Sequence, residues 1–115
     1  MASKMLALQS FPKKLLTRFY NKTKMKFEWD EQKRLINLQR HGIDFADVWR
    51  VFENETATEI DDRFNYGEIR FTTLGLLFGI VVIIVHTETD KIIRIISARS
   101  GDKYDEEKFF REIRD

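Results

Sequence analysis

The longest uninterrupted run of apolar residues in the chain is Ile80–Val85, which is far too short to span a bilayer. A strand that is apolar at every position must be covered on both faces, so this run predicts the central strand of a sheet. Residues 68–74 alternate polar and apolar side chains, and residues 91–99 are rich in isoleucine, so both predict flanking strands. These flanking segments carry charged residues, and we therefore expect the functional surface to lie beside the central strand.

Two helices are predicted ahead of this sheet. The first covers residues 31–41, because Asp30 provides an N-cap and Gly42 a left-handed C-cap. Asp44 is in position to cap the second helix. Its apolar side chains recur at i, i+3, i+4 and i+7, which predicts a helix with one buried face, formed by Phe45, Val48, Trp49 and Phe52.

The remaining elements complete an α+β fold. Residues 26–29 alternate and predict a short strand at a sheet edge, and period-two alternation in residues 56–60 predicts another strand. We expect residues 75–79 to form the tight connection into the central strand, Thr89-Asp90 to form the next hairpin, and a last helix to begin at Asp102 or Tyr104. The order is a short β strand, two helices, an antiparallel β-meander and a C-terminal helix, with the helices on one face of the sheet.

The basic residues are unevenly distributed along the chain. Residues 1–24 carry a charge of +6 and no acidic residue, and subtracting this from the net charge of +1 leaves −5 for residues 25–115. A basic, acid-free segment is typical of a transit peptide or a nucleic-acid-binding arm, but we favour the simpler explanation, an upstream start codon. We expect residues 1–24 to be an extension that is poorly ordered or loosely helical, and residues 25–115 to be the folded domain.

Composition limits the chemistry that the domain can perform. The chain has no cysteine, so disulfides and thiolate metal sites are excluded. The other residues that could bind a metal, His41, His86, Asp61 and Asp62, match no ligand spacing, and there is no glycine-rich phosphate loop. We expect neither a metal nor another cofactor.

A set of basic side chains with one carboxylate remains, and this set suits cleavage of RNA without a metal. The reaction needs a base for the 2′-hydroxyl proton, an acid for the leaving 5′-oxygen, and fixed cations around the phosphorus. Arginine is the favoured clamp because its planar fork meets two phosphate oxygens at once. The candidates are Lys33, Arg40, His41, Arg63, Glu68, Arg70, Arg94 and Arg99.

Structural roles explain several of these candidates equally well. His41 at a helix end complements the helix dipole, Lys33 and Arg40 are compatible with a solvated helix face, and Glu68 is compatible with a cross-strand ion pair. Arg94 is different, because it interrupts an apolar strand where burial would demand a partner. The residues alone predict a cationic sheet surface that binds an anion, and they leave the reaction open.

The spacing of two arginines raises a geometric question. Arg94 and Arg99 are five residues apart, so on a regular strand they face opposite sides of the sheet. They share a face only if a bulge re-aims one of them or if Arg99 lies beyond the strand end.

Several motifs, taken together and in order, resemble the BrnT family of toxins, from about Met25 to about Phe110. Any one of them is weak evidence, whereas the ordered set is specific. They are Phe27-Glu28-Trp29-Asp30, Arg40-His41-Gly42-Ile43-Asp44-Phe45-Ala46, Tyr66-Gly67-Glu68-Ile69-Arg70 and Arg94-Ile95-Ile96-Ser97-Ala98-Arg99.

The resemblance implies a cytoplasmic toxin of a type II toxin–antitoxin pair with a RelE-like fold. Such a toxin cuts RNA without a metal and arrests translation, and a BrnA-like antitoxin neutralises it. The toxin would reach operator DNA only through that antitoxin, and no membrane is involved. By motif position the catalytic residues are His41, Glu68, Arg70, Arg94 and Arg99, and the RNA-phosphate contacts are Lys33, Arg40 and Arg63. Which of His41 and Glu68 is the base stays open.

The chain also departs from the family pattern. Thr87-Glu88 is followed by Thr89-Asp90, where the family usually has a basic residue, and the last segment is rich in acidic residues. These departures favour an alternative function: a catalytically weak or inactive binding module of the same fold that mainly engages the antitoxin.

Overall fold

The computed structural model describes residues 16–18, 25–63 and 65–114. The strands and helices follow in the order β1 (Leu16–Arg18), β2 (Lys26–Trp29), α1 (Glu31–His41), a 3₁₀ helix (Phe45–Glu53), β3 (Thr56–Asp61), β4 (Arg70–Leu77), β5 (Ile80–Glu88), β6 (Ile92–Ser100) and α2 (Lys103–Arg114). None of the helices in these ranges is long and apolar enough to cross a membrane.

The strands form one sheet in the order β1-β3-β4-β5-β6-β2. Strands β3 to β6 are an antiparallel meander, which confirms the predicted topology. The predicted edge strand, β2, pairs in parallel with β6 at one side of the sheet. At the other side β1 pairs with β3, so our expectation of a loose or helical extension is wrong for Leu16–Arg18. The rest of residues 1–24 lies outside the described residues.

Helix α1 begins and ends where the sequence predicts. The Asp30 carboxylate accepts a hydrogen bond from the Lys33 amide at 3.1 Å, and Gly42 adopts the left-handed conformation at φ 73°. The buried Asn37 ties the helix to β6, because its amide donates to the Ala98 carbonyl at 2.8 Å and accepts from the Ala98 amide at 3.2 Å. Helix α1 therefore lies against the free edge of β6, beyond the end of β2.

The second helix is a 3₁₀ helix rather than the predicted α-helix. With about three residues per turn, positions i, i+3 and i+6 share a face. Phe45, Val48 and Val51 occupy those positions, and all three are buried, whereas Trp49 is only partly buried. Three of the four predicted core residues, Phe45, Val48 and Phe52, are therefore buried as expected. The predicted spacing of 3.6 residues per turn is wrong, because the helix has about three.

Our prediction that the helices lie on one face of the sheet is wrong. Alternate residues of β5 point to opposite faces: Val82 and Ile84 pack with the 3₁₀ helix, whereas Val81 and Ile83 pack with Phe109 of α2. The physical reason is the apolar character of β5 itself, because a strand that is apolar on both faces needs cover on both.

The connection between β4 and β5 is shorter than predicted. Only Phe78 and Gly79 form the turn, with φ angles of 52° and 82°. Gly75 lies inside β4, where a Cβ atom would clash with the side chains of Val51 and Thr56. This glycine marks a close approach between the strand and the 3₁₀ helix rather than a turn.

Candidate active site

A bulge in β6 determines which side chains share a face of the sheet. The pairing of β5 with β6 shifts between Val85 and His86, with Val85 opposite Ser97 and His86 opposite Ile95. Ile96 is therefore the extra residue, and the bulge reverses the alternation on either side of it. Arg94 and Arg99 consequently face the same side, which is one of the two arrangements that their spacing allowed.

Five residues line up across this face, perpendicular to the strands. Arg94 pairs with Thr87 of β5 and with Glu28 of β2, and Arg70 pairs with Asp61 of β3. The Phe71–His86 pairing, extended by one residue, places Arg70 beside Thr87. We call this set, from Asp61 through Arg70, Thr87 and Arg94 to Glu28, the arginine row. Its two arginines are two strands apart, about 10 Å.

Helix α2 packs on the same face, over the middle of the strands. Its Phe109 covers Leu74 and Ile83, so the arginine row lies beyond the part of the sheet that α2 covers. Arg99 is opposite Ile83, four residues from Thr87 along β5. This places Arg99 about 13 Å from the row. Its guanidinium lies 3.6 Å from the Asp105 carboxylate of α2, so the structure does not bring Arg99 into direct contact with Arg70 and Arg94.

Arg70 is held by two neighbours from the loop that precedes β4. Its Nε donates to the Glu68 carboxylate at 3.0 Å, and its guanidinium carbon lies 4.0 Å from the centre of the Tyr66 ring. A stacked guanidinium with one nitrogen engaged has few accessible orientations. The predicted Glu68–Arg70 association is thus a local ion pair within one segment.

Tyr66 is in turn fixed by Asp61. The Tyr66 hydroxyl donates to the Asp61 carboxylate at 3.3 Å, and Arg63 donates to the same carboxylate through Nε at 2.8 Å and Nη2 at 3.0 Å. Arg63 holds the pKa of Asp61 below its ordinary value, and Asp61 raises the pKa of Arg63. The charge of Arg63, a predicted phosphate contact, is therefore engaged with a buried carboxylate.

Sequence reasoning missed Tyr66 and Asp61 as parts of the site. Tyr66 lies in Asn65-Tyr66-Gly67, which is typical of a turn, and Asp61 lies at the end of a predicted strand. The available signal was the aromatic residue in a turn rich in charged neighbours, but only the fold shows that its ring lies against Arg70.

Arg94 presents its charge to solvent. It is exposed because its strand neighbours Ile93 and Ile95 point to the buried face. Within the described part of the chain its side chain makes no hydrogen bond or ion pair. The expectation that Arg94 is a buried cation with an obligatory partner is therefore wrong, and the strand exposes a cation that is available to an anionic ligand.

The three candidates on α1, Lys33, Arg40 and His41, are exposed. Arg40 and His41 lie in the last turn of the helix, where a cation complements the helix dipole. Over residues 25–63 and 65–114, no hydrogen bond or ion pair joins these side chains to the arginine row. The fold does not bring them into contact with Arg70 or Arg94.

The second histidine belongs to the core. His86 is fully buried, its Nε2 lies 2.7 Å from the Thr73 hydroxyl, and its ring packs between Phe52 and Phe71. In the ranges that the structure describes, no group of three or more His, Cys, Asp and Glu side chains is arranged to hold a metal ion.

Comparison with known proteins identifies relatives of this chain. Residues 29–105 match the model of a family described as the ribonuclease toxin BrnT of type II toxin–antitoxin systems. The chain is also similar to the crystal structure of the Brucella abortus ribonuclease toxin BrnT, with 28% sequence identity and a TM-score of 0.53 over 69% of this chain and 99% of that one. A comparison with curated proteins finds no match.

Proposed function

This chain belongs to the BrnT family of ribonuclease toxins of type II toxin–antitoxin systems, and on that premise we propose that the arginine row is where it cleaves RNA without a metal ion. One observation supports this above the others: the pairing of the strands sets Arg70 and Arg94 on one face, in one row, about 10 Å apart across β5. Two arginines at that separation can approach one phosphate group from opposite sides.

The row and Glu68, which is bonded to Arg70, carry most of the groups that the reaction needs. We assign Glu68 as the base that takes the proton from the 2′-hydroxyl, whose oxygen then attacks the phosphorus as the bond to the 5′-oxygen breaks. Arg70 and Arg94 stabilise the negative charge that builds up on the phosphate oxygens in the transition state. Because Tyr66 and Glu68 already hold the Arg70 guanidinium in place, this side chain needs little reorganisation when the transition state forms.

The leaving 5′-oxygen needs a proton, and with Glu68 as the base we assign His41 as its donor. His41 lies on α1, outside the row, so this assignment requires the His41 ring to come within hydrogen-bond distance of that oxygen when RNA is bound. Arg99 then holds a neighbouring phosphate along the same strand of RNA, and Lys33, Arg40 and Arg63 add further attraction for the backbone.

The wider biological setting also follows as a proposal. The family implies an antitoxin partner, and we propose a BrnA-like protein that covers the arginine row and carries the operator-binding part. Cleavage of RNA in the cytoplasm would inhibit translation, and the meander with its flanking helices would be a RelE-like fold.

The decisive experiment is RNA cleavage by the purified protein in EDTA. We expect Arg70→Ala and Arg94→Ala each to lower the rate by about 100- to 1000-fold, the usual loss when one group that stabilises transition-state charge is removed. Arg111→Ala is the matched control, because it removes the same charge from an exposed position on α2. Undiminished cleavage by both row variants would refute the site, and loss of wild-type cleavage in EDTA would refute metal independence.

A binding module of low activity is the second candidate. It is favoured by one observation, the exposed Glu28 at the β2 end of the row, whose negative charge weakens attraction for RNA. Expression of the chain without growth inhibition, combined with tight binding of the antitoxin, would support this candidate over the ribonuclease.

A further inference from the structure

An acidic and a basic side chain lie next to each other at the β2 end of the arginine row. Glu28 and Arg94 are directly paired in the parallel register of β2 and β6, about 5 Å apart at the backbone. Both are exposed, and among the residues that the structure describes neither side chain forms a hydrogen bond or an ion pair. Opposite charges at such a position usually associate with each other. Glu28 and Arg94 do not, so both groups are available to a ligand.

These two residues line an open groove at the sheet edge together with Asp30, Phe27 and Trp29, and the side chains of the last two pack toward the core on the other face of β2. Two other side chains of the groove use part of their hydrogen-bonding capacity within the protein. The Asp30 carboxylate caps α1, and the Trp29 indole nitrogen donates to Glu31 at 3.1 Å. Glu28 is therefore the carboxylate of the groove with both oxygens unengaged among the described residues, and Arg94 is the unengaged donor beside it.

We propose that this groove binds a guanine base of the RNA, beside the phosphate that the arginine row holds; this rests on the function proposed above. An ionised carboxylate only accepts hydrogen bonds, and it accepts two side by side. Guanine presents two adjacent donors on its Watson–Crick edge, the ring N1–H and the 2-amino group, whereas its O6 accepts. Glu28 takes the two donors, and Arg94 is placed to meet the phosphate or O6.

The other three bases fit this pair less well. Adenine and cytosine each place a single amino donor beside a ring acceptor, which an acceptor-only carboxylate repels. Uracil has one ring donor between two carbonyl oxygens. A site whose polar group is left unpaired by the wrong ligand discriminates strongly, so the arrangement selects guanine rather than purines in general.

The test is equilibrium binding of short 2′-O-methyl oligoribonucleotides, which resist cleavage and so report on the groove independently of catalysis. The probes are identical except for one central base, which is guanine, adenine, cytosine, uracil or hypoxanthine; the last lacks the 2-amino group. We expect the guanine probe to bind wild-type protein about 5- to 100-fold more tightly than the others, the range for one bidentate base contact. In Glu28→Gln we expect this preference to fall to about twofold.

The control is Glu107→Gln, which removes the same charge from an exposed position on α2 and should keep the preference for guanine. Equal binding of all probes by the wild type, or an undiminished preference in Glu28→Gln, would overturn the proposal. Cleavage of the matching unmodified RNA separates the two proposals. Cleavage without a preference for guanine refutes the base site alone, and a preference for guanine in binding without cleavage refutes the ribonuclease activity alone.

Discussion

Two groups of basic side chains, one on the sheet and one on α1, are held very differently. Arg70 on the sheet is stacked on Tyr66 and bonded to Glu68, and Arg94 has its backbone fixed in β6 while its guanidinium stays open to a ligand. Lys33 and Arg40 extend from an exposed helix face, and in the described ranges their side chains form no hydrogen bond or ion pair. Charges that are fixed before the reaction stabilise a transition state, whereas mobile surface charges mainly attract the substrate. The comparison therefore separates residues that act in catalysis from residues that act in encounter.

The support beneath Arg70 gives the largest expected effect on stability. Asp61→Asn removes the charge that Arg63 and Tyr66 share, and we expect a loss of about 1–3 kcal/mol in the free energy of unfolding at pH 7. Because the pKa of Asp61 is lowered in the folded state, its contribution is fully present above the ordinary aspartate pKa of about 3.9 and is lost as the pH falls through the folded-state value.

Urea unfolding at pH 7 and pH 3 measures this contribution. The difference between wild type and Asp61→Asn should shrink at the lower pH. Asp90→Asn, which removes the same charge from an exposed position between β5 and β6, is the matched control. A difference that is the same at both pH values would show that the Asp61 charge is not what stabilises this segment.

The Tyr66 ring beneath Arg70 is expected to have the next largest effect, on the rate of RNA cleavage. Tyr66→Leu removes the surface on which the guanidinium stacks, and we expect cleavage to slow about tenfold through kcat, with KM nearly unchanged, because a stacked cation is worth about 1 kcal/mol or more. Tyr66→Phe keeps the ring and should lose less. If Leu and Phe at this position behave alike, the ring does not position Arg70.

Substitutions on α1 are expected to have the smallest effect on cleavage. Lys33→Ala and Arg40→Ala should raise KM by less than about fivefold, and the difference from wild type should disappear at high salt, since exposed charges are screened. Cleavage rates measured at two salt concentrations test this. A loss of kcat that persists at high salt would place these residues in the catalytic group and remove the distinction between the two groups.

Sequence patterns predicted most of the fold because local signals set its elements. The caps of α1, the edge position of β2 and the order of the meander all follow from such signals. The 3₁₀ helix was mistaken for an α-helix because Phe45 and Val48, at i and i+3, fit either period over so short a segment. Placing all helices on one face was wrong although the doubly apolar β5 already required cover on both.

The site was only partly predictable, because its geometry depends on one extra residue. The run Ile92-Ile93-Arg94-Ile95-Ile96 has no polar alternation that would fix its phase, so the bulge at Ile96 could be named only as one alternative. The link from Arg70 through Tyr66 to Asp61 joins two strands across a loop, and no local pattern encodes it. The basic residues could therefore be named from the sequence, but not sorted into fixed and mobile groups.

The central claim is that Arg70 and Arg94 act on one phosphate, and a double-mutant cycle tests it most directly. Single-turnover RNA cleavage in EDTA is measured for wild type, Arg70→Ala, Arg94→Ala and the double variant. If both side chains hold the same phosphate, the double variant should lose at least about fivefold less rate than the product of the two single losses, since groups that share a partner are not additive. Losses that multiply would show that the two arginines act independently and would contradict the account.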